Sequence, residues 1–176
     1  MEPWPDRSKP LSTTLFLGGA RSGKSRLAQA AAEATPGPLV YLATGWAGDD
    51  EMAERIARHR ADRGPRWRTV DCPVEVPRAI GDAGEATVLV DCLTLWLSNL
   101  MLGGHDVDAA GAALAVAMGQ ARGPLLLVGN EVGLGLVPET PLGRAFRDAA
   151  GRLNQAVAAA AARVVFVAAG LPLVLK

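Results

Sequence analysis

The fold class of this chain is decided by the run Thr14-Leu15-Phe16-Leu17-Gly18-Gly19-Ala20-Arg21-Ser22-Gly23-Lys24-Ser25. Its first four residues predict a buried strand, and the alanine-rich residues after Ser25 predict a helix. The glycine-rich part between them matches GxxxxGK[ST], the pattern of a phosphate-binding P-loop, in the strand-loop-helix setting that such a loop requires. The run therefore predicts a nucleotide-binding site, with a glycine-rich connector as the alternative.

Each residue type of this loop suits one part of a nucleoside triphosphate. The glycines allow the backbone to curl until its N–H groups point at phosphate oxygens, and the start of the following helix adds a positive dipole. The amine of Lys24 reaches the outer phosphates, and the hydroxyl of Ser25 is a ligand for Mg²⁺.

The size and charge of the chain limit what it can bind. Its 176 residues predict one catalytic domain over residues 12–176, preceded by a loose N-terminal extension over residues 1–11. The 18 basic residues are matched by 18 acidic ones, so the chain lacks the basic character that binds nucleic acid or an anionic membrane. Small molecules are the expected partners.

Other features of the sequence predict a cytoplasmic protein without a membrane span. The polar, proline-bearing N-terminus lacks the apolar core of a signal peptide, and charged and turn-forming residues interrupt the longest apolar stretches. Cys72 and Cys92 are isolated thiols, which disfavours a zinc site and suits a reducing compartment. Both are expected to be buried packing residues.

Short apolar runs alternate with segments rich in alanine, arginine, glutamate and glutamine, a rhythm typical of an α/β fold. Because the runs are apolar throughout, we expect a mainly parallel central sheet flanked by helices on both faces, with ligands at the carboxyl ends of the strands. The predicted strands are residues 15–17, 39–43, 88–90, 125–128 and 164–167. The predicted helices are residues 25–34, 49–63, 92–102, 108–122 and 142–162, the last capped by Thr140.

Two carboxylates directly follow predicted strands. Asp91 ends the run Thr87-Val88-Leu89-Val90, where P-loop enzymes place the acid that holds Mg²⁺ directly or through water. The alternative for Asp91 is capping of the next helix. Glu131 follows the next strand as a second candidate, with local hydrogen bonding in its loop as the alternative.

His59 lies in the cation-rich segment Arg55-Ile56-Ala57-Arg58-His59-Arg60-Ala61-Asp62-Arg63. The pattern alone favours a packed or surface histidine on a helix. A neutral imidazole can also attack phosphorus while Arg60 and Arg63 neutralise the charge on the phosphoryl oxygens, with solvated arginines on a helix surface as the alternative for these two residues. His105, in an apparent loop, is assigned no role.

Several segments together resemble one family: GGARSGKS at 18–25, YLATG at 41–45, DDEMAERIARHR at 49–60, DCLTLWLSNL at 91–100, NEVGLGLVPETPLGRAFRDAAGRLNQ at 130–155 and the ending GLPLVLK. The resemblance as a whole covers nearly everything after about Leu11. The family is the bifunctional adenosylcobinamide kinases and adenosylcobinamide-phosphate guanylyltransferases of cobalamin biosynthesis. The combination of segments is far more specific than the P-loop alone.

The resemblance implies two reactions. One phosphorylates the aminopropanol hydroxyl of adenosylcobinamide, with ATP or GTP as donor, and the other transfers GMP from GTP to adenosylcobinamide phosphate, giving adenosylcobinamide-GDP and pyrophosphate. In such proteins the histidine of the DDEM…RHR segment carries GMP as a phosphoramidate, and His59 is the only histidine there. The resemblance therefore makes His59 the expected catalytic nucleophile.

The resemblance also assigns nucleotide contacts, a fold and an assembly. Ser25 and Asp91 are the implied magnesium ligands, the fold is that of a recombinase-like P-loop NTPase, and the assembly is a homotrimer. The implied nucleotide contacts are Gly18, Gly19, Ala20, Arg21, Ser22, Gly23, Lys24, Ser25, Ala43, Thr44, Gly45, Arg60, Ala61, Asp62, Arg63, Asp71 and Asp91.

Two rival functions stay open at this point. A simple P-loop kinase of a small metabolite would use the loop without a covalent nucleotide, and His59 would be structural. A nucleotide-dependent interaction module would use the alanine-rich helix near Ala158 as a contact between chains, although core packing is the more usual role of such a helix. A regulatory GTPase is disfavoured because the sequence contains no NKxD segment.

Overall fold

The computed structural model describes residues 12–45 and 64–176, which form a seven-stranded sheet with helices on both faces. The strands are β1 (Thr13–Gly18), β2 (Leu39–Ala43), β3 (Trp67–Asp71), β4 (Thr87–Asp91), β5 (Leu125–Asn130), β6 (Arg163–Ala168) and β7 (Leu171–Val174). The helices of these ranges are α1 (Lys24–Glu33), α2 (Val76–Asp82), α3 (Leu93–Leu102), α4 (Val107–Gln120) and α5 (Pro141–Ala160).

The order of the strands is β3-β2-β4-β5-β1-β6-β7. All neighbours pair in parallel except β7, which is antiparallel to β6. The register aligns the carboxyl ends: Ala43 pairs with both Asp71 and Asp91, and Gly18 pairs with Asn130. This topology confirms the predicted α/β fold. The register brings the predicted site residues of the described strands together at the carboxyl-terminal end of the sheet.

The five central strands, β2, β4, β5, β1 and β6, are buried on both faces, as their uninterrupted apolar runs predict. In β1, Leu15 and Leu17 belong to the core under α2 to α5, which includes the fully buried Trp96. Phe16 points to the opposite face and packs in the core that contains the alanines of α1, such as Ala28. The alanine-rich sequence of α1 lets this helix lie close to the sheet, which places its N-terminus beside the end of β1.

The predicted helix boundaries outside the 49–63 segment agree with the structure to within two residues. Thr140 caps α5 as expected, since its hydroxyl accepts a hydrogen bond from Gly143 N at 3.1 Å. Asp106 caps α4 in the same way, accepting from Ala109 N at 2.9 Å. In residues 12–45 and 64–176, no helix combines the length and apolar character needed to cross a membrane.

Three short elements were not predicted from the sequence. The edge strand β3 is only half buried, so its residues do not form an apolar run. The other edge strand, β7, contains Pro172 and is largely exposed, and α2 is a seven-residue helix with Pro77 in its first turn. The extension 1–11 and the predicted helix 49–63 lie outside the described residues. The proposed domain boundary at residue 12 stays a prediction.

Candidate nucleotide-binding site

The loop between β1 and α1 requires glycine at two positions for steric reasons. A Cβ atom at Gly18 would lie 2.3 Å from Val167 O and 2.7 Å from Ser22 Oγ. Gly23 precedes α1 in the left-handed conformation, with φ of 94°, and a Cβ there would lie 3.2 Å from the Cα of Gly170. Gly170 N also donates to Ser22 O at 2.8 Å, so the loop is tied to the turn between β6 and β7.

Lys24 is the first residue of α1 and is buried, with 7% of its surface exposed. Its Nζ donates to Gly19 O at 3.1 Å, which holds the ammonium group against the loop. A cation in this position, at the start of a helix, is placed to bind phosphate oxygens. The structure therefore gives Lys24 the location that the P-loop pattern predicts.

Asp91 lies at the end of β4 and receives hydrogen bonds on both carboxylate oxygens. Ser25 Oγ donates to its Oδ1 at 3.4 Å, and the hydroxyl of Tyr41 donates to its Oδ2 at 3.0 Å. The capping alternative is not observed, since Cys92 is the N-cap residue of α3 and no side chain caps that helix. The structure thus brings together Ser25 and Asp91, the two residues predicted to bind magnesium.

The donor set of Ser25 and Asp91 fits Mg²⁺. Magnesium prefers hard oxygen ligands and is commonly held by one or two protein side chains together with phosphate oxygens and water. Across the two described ranges there is no group of three or more His, Cys, Asp or Glu residues that could hold a metal ion. A hydroxyl and a carboxylate beside a phosphate-binding loop suit a magnesium ion that is bound together with a nucleotide.

Thr44, which follows β2, has hydrogen-bond partners within the protein for each of its polar groups. Its hydroxyl is fully buried and bonds both Cys92 O and Cys92 N at 2.7 Å. Its backbone N donates to Asp91 O at 3.3 Å, and its carbonyl accepts from Asn99 Nδ2 at 2.8 Å. The hydroxyl of Thr44 therefore connects the ends of β2 and β4, and its contact with nucleotide stays a prediction.

Two further carboxylates lie at the same carboxyl-terminal end of the sheet. Asp71 ends β3 and is exposed beside Ala43. Glu131 follows β5 and donates its backbone N–H to Gly18 O at 3.1 Å, which places it next to the loop. Its carboxylate accepts from Gly133 N at 2.6 Å, the local hydrogen bond given as its alternative role.

The sequence did not reveal the side chains whose hydrogen bonds stabilise the carboxyl-terminal end of the sheet. Tyr41 lies in the YLATG segment, but nothing in its local sequence indicates a hydrogen bond to Asp91, 50 residues away. Thr94 Oγ1 accepts from Asn130 N at 2.7 Å, and Asn154 Nδ2 donates to Asn130 O at 3.2 Å. Tyr41 thus ties β2 to β4, while Thr94 and Asn154 tie α3 and α5 to the carboxyl end of β5.

Both cysteines are buried and unpaired with each other, which confirms that they pack in the interior. Burial raises the pKa of the Cys92 thiol, and the neighbouring charge of Asp91 raises it further. Burial and the charge of Glu75 raise the pKa of Cys72. Both thiols are therefore protonated and weakly nucleophilic at neutral pH.

The predicted nucleophile His59 and the neighbouring predicted contacts Arg60, Ala61, Asp62 and Arg63 lie outside the described residues. Their roles stay predictions. His105 lies in the described part of the chain, exposed in the turn after α3.

A phosphate-binding loop at the end of a central parallel strand, with an acid at the end of a nearby strand, defines the class of P-loop NTPases. The fold agrees with that class. It is similar to the RadB recombinase, with a TM-score of 0.51 and 17% sequence identity, covering 89% of this chain and 74% of that one. The recombinase-like architecture is thereby confirmed.

Comparison of the sequence identifies the family within this class. Residues 14–175 match the family model CobU, described as cobinamide kinase / cobinamide phosphate guanyltransferase. The chain is 48% identical over 166 residues to the bifunctional adenosylcobalamin biosynthesis protein CobP of Pseudomonas aeruginosa, covering 92% of this chain and 96% of that protein. It is 39% identical over 179 residues to the bifunctional adenosylcobalamin biosynthesis protein CobU of Salmonella typhimurium, covering 92% and 98%.

The chain therefore belongs to the cobinamide kinase / cobinamide phosphate guanyltransferase family. This confirms the resemblance drawn from the sequence segments, and with it an enzyme of adenosylcobalamin biosynthesis that binds nucleotide and acts on cobinamide-type compounds. The function of the chain is therefore that of a bifunctional kinase and guanylyltransferase, and not that of the simple metabolite kinase considered as a rival.

Proposed function

We propose that this enzyme phosphorylates adenosylcobinamide and then transfers GMP from GTP to the product through a covalent intermediate on His59. The observation that carries the nucleotide chemistry is the grouping of Lys24, Ser25 and Asp91, with Ser25 Oγ donating to the Asp91 carboxylate at 3.4 Å. Family membership supports the two activities, and the sequence around His59 supports the covalent step.

In the kinase reaction, the loop and Lys24 bind the phosphates of ATP or GTP. Ser25 and Asp91 would hold Mg²⁺, which when bound neutralises charge on the phosphate oxygens. The hydroxyl oxygen of adenosylcobinamide attacks the γ-phosphorus, the bond to the nucleoside diphosphate breaks, and the hydroxyl proton is released. Binding the donor in a fixed position contributes most of the rate, since phosphoryl transfer needs little covalent chemistry from the protein.

In the guanylyl transfer, a neutral imidazole nitrogen of His59 attacks the α-phosphorus of GTP. A nitrogen–phosphorus bond forms as the bond to pyrophosphate breaks. A phosphate oxygen of adenosylcobinamide phosphate then attacks the same phosphorus, which releases the imidazole and gives adenosylcobinamide-GDP. Arg60 and Arg63 would neutralise charge on the phosphoryl oxygens during both displacements.

The assembly that we propose is a cytoplasmic homotrimer. The exposed apolar side chains of the described residues include two local groups, one of Leu134, Leu136 and Val137 in the loop after β5 and one of Leu171 and Leu173 on β7. A closed ring of three chains requires two different complementary surfaces on each chain, and exposed apolar groups are common at such surfaces. Light scattering of the purified protein tests this assembly, and a monomer would contradict it.

The covalent step is tested by incubating the protein with magnesium and GTP, denaturing it at alkaline pH and measuring its intact mass. We expect one added guanylyl group on the wild-type chain and none on His59→Ala. The chain contains only two histidines, so His105→Ala is the matched control and should retain the adduct. An adduct that persists in His59→Ala, or guanylyl transfer to the corrinoid without any adduct, would overturn the proposal.

A further inference from the structure

The carboxylate of Asp91 is held by two hydroxyl groups from different elements. Ser25 of α1 donates to Oδ1 at 3.4 Å, and Tyr41 of β2 donates to Oδ2 at 3.0 Å. Ser25 belongs to the P-loop pattern, whereas Tyr41 has no part in it. The hydrogen bond from Tyr41 is therefore a contact that the P-loop pattern does not account for.

The position of the Tyr41 hydroxyl is fixed by the fold. Tyr41 pairs with Leu89 of β4, and Asp91 lies two residues further along that strand, on the same face as Leu89. Only 8% of the tyrosine is exposed, and its ring packs edge to face against Trp67 with centroids 6.2 Å apart. A ring that is packed in this way presents its hydroxyl to the carboxylate with little freedom to move.

A hydrogen bond to one oxygen of a carboxylate restricts how the whole group can rotate. With Oδ2 bound to Tyr41, the other oxygen of Asp91 stays directed at Ser25 and the phosphate-binding loop. Hydrogen bonds to ionised groups are stronger than those between neutral groups, and residues that orient metal ligands in this way affect metal affinity substantially.

We propose that Tyr41 is a positioning residue that orients Asp91 for magnesium bound with the nucleotide. The inference rests on the proposed role of Asp91 as a magnesium ligand. Tyr41 acts only through Asp91, so it affects binding of the magnesium–nucleotide complex and leaves the metal-free nucleotide unaffected. This difference separates a positioning role from a general contribution to folding.

The test is Tyr41→Phe, which removes the hydroxyl and keeps the ring that packs on Trp67. Binding of a fluorescent, non-hydrolysable GTP analogue is measured across a magnesium titration and again in EDTA, with thermal unfolding to verify the fold. We expect the magnesium concentration for half-maximal enhancement of binding to rise about 10-fold. Affinity in EDTA should equal that of the wild type. Equal losses with and without magnesium would overturn the inference.

Thr35→Val is a matched control. It removes a hydroxyl that hydrogen bonds Thr87 Oγ1 at 2.7 Å at the opposite end of β4 from Asp91. We expect an unchanged magnesium midpoint for this variant, and an equal rise in Thr35→Val and Tyr41→Phe would overturn the inference.

The variant Asp91→Asn distinguishes a failure of the inference about Tyr41 from a failure of the proposed magnesium role of Asp91. If Asp91→Asn raises the midpoint and Tyr41→Phe does not, Tyr41 is not a positioning residue and the proposed role of Asp91 stands. If Asp91→Asn leaves the midpoint unchanged, the magnesium role of Asp91 is wrong and the inference fails with it. When both single variants raise the midpoint, Tyr41→Phe should add no further rise in the Asp91→Asn background.

Discussion

The Thr44 side chain and the Cys92 backbone form a reciprocal pair, in which Thr44 Oγ1 donates to Cys92 O and accepts from Cys92 N, each at 2.7 Å. Cys92 directly follows Asp91, whose carbonyl also accepts a hydrogen bond from Thr44 N at 3.3 Å. The pair therefore fixes the chain where β4 ends and α3 begins. Any movement of this junction would displace the carboxylate that faces the P-loop.

Thr44→Val should lower the free energy of unfolding by about 1–3 kcal/mol, because it leaves the buried Cys92 N–H and carbonyl without the threonine hydroxyl. Valine is close to threonine in shape, so the loss reports the hydrogen bonds rather than a cavity. Urea unfolding followed by circular dichroism measures it. Thr44→Ser keeps the hydroxyl and should recover a large part of the stability, and a serine variant no more stable than the valine variant would contradict this explanation.

Gly18→Ala should destabilise the fold by more than about 2 kcal/mol. The added Cβ would stand 2.3 Å from Val167 O, a backbone atom that cannot move without displacing β6. Gly19→Ala is the matched control, since an added Cβ at Gly19 has no atom within 4 Å in the described structure. We expect its stability within about 0.5 kcal/mol of the wild type in the same urea experiment, and comparable losses in the two variants would exclude the steric explanation.

Lys24→Met should weaken binding of nucleoside triphosphates about 10- to 100-fold, the range expected on losing a charge-assisted contact to phosphate. Methionine fills the buried space of the lysine stem but has no ammonium group. Fluorescence titration with a GTP analogue measures the affinity.

Lys176→Met is a control for the loss of a lysine ammonium away from the loop. Lys176 Nζ donates to carbonyls at the end of α5, including Ala161 O at 2.7 Å. The control should lose stability while retaining nucleotide affinity. Unchanged binding in Lys24→Met would show that the loop does not use this lysine.

The features that could be predicted from the sequence are local ones. The P-loop is a continuous segment, and Asp91 follows directly on a run of four β-forming residues, so both are visible along the chain. The two-sided burial of the sheet follows from the apolar runs. The edge strands β3 and β7 were missed because strands that are partly exposed do not need to be apolar throughout.

The contact between Tyr41 and Asp91 could not be predicted, because it depends on the order of strands in the sheet. β2 lies between β3 and β4, so its neighbours include a strand that is not adjacent to it in the chain. The sequence of β2 contains no signal that predicts its pairing with β4. The hydrogen bond from Asn154 to Asn130 is hidden for another reason, since it depends on which side of α5 packs at the end of β5.

The buried cysteines predict a pH dependence of stability on the alkaline side. Burial, and to a lesser extent Asp91, raise the pKa of Cys92 above its ordinary value of 9.0. The folded state then binds more protons than the unfolded state between the ordinary and the raised pKa. The contribution to stability is therefore complete below the ordinary value and is lost as the pH rises through the raised one.

Cys92→Ala removes this titration, so its free energy of unfolding should fall less steeply than that of the wild type as the pH is raised above 9.0. Every other ionisable group is common to both proteins, so the difference between the two curves isolates the Cys92 thiol. Parallel curves would contradict the raised pKa.

Asp91→Asn separates the two causes of the raised pKa of Cys92, which are burial and the charge of Asp91. Removing the carboxylate charge should lower the pKa of Cys92 while leaving it above the ordinary value, because burial is the larger cause. Thiolate absorbance is measured in Cys72→Ala and in the double variant Cys72→Ala/Asp91→Asn, so that Cys92 is the only thiol that titrates. A pKa that returns fully to the ordinary value in Asp91→Asn would mean that the charge of Asp91, rather than burial, keeps the Cys92 thiol protonated.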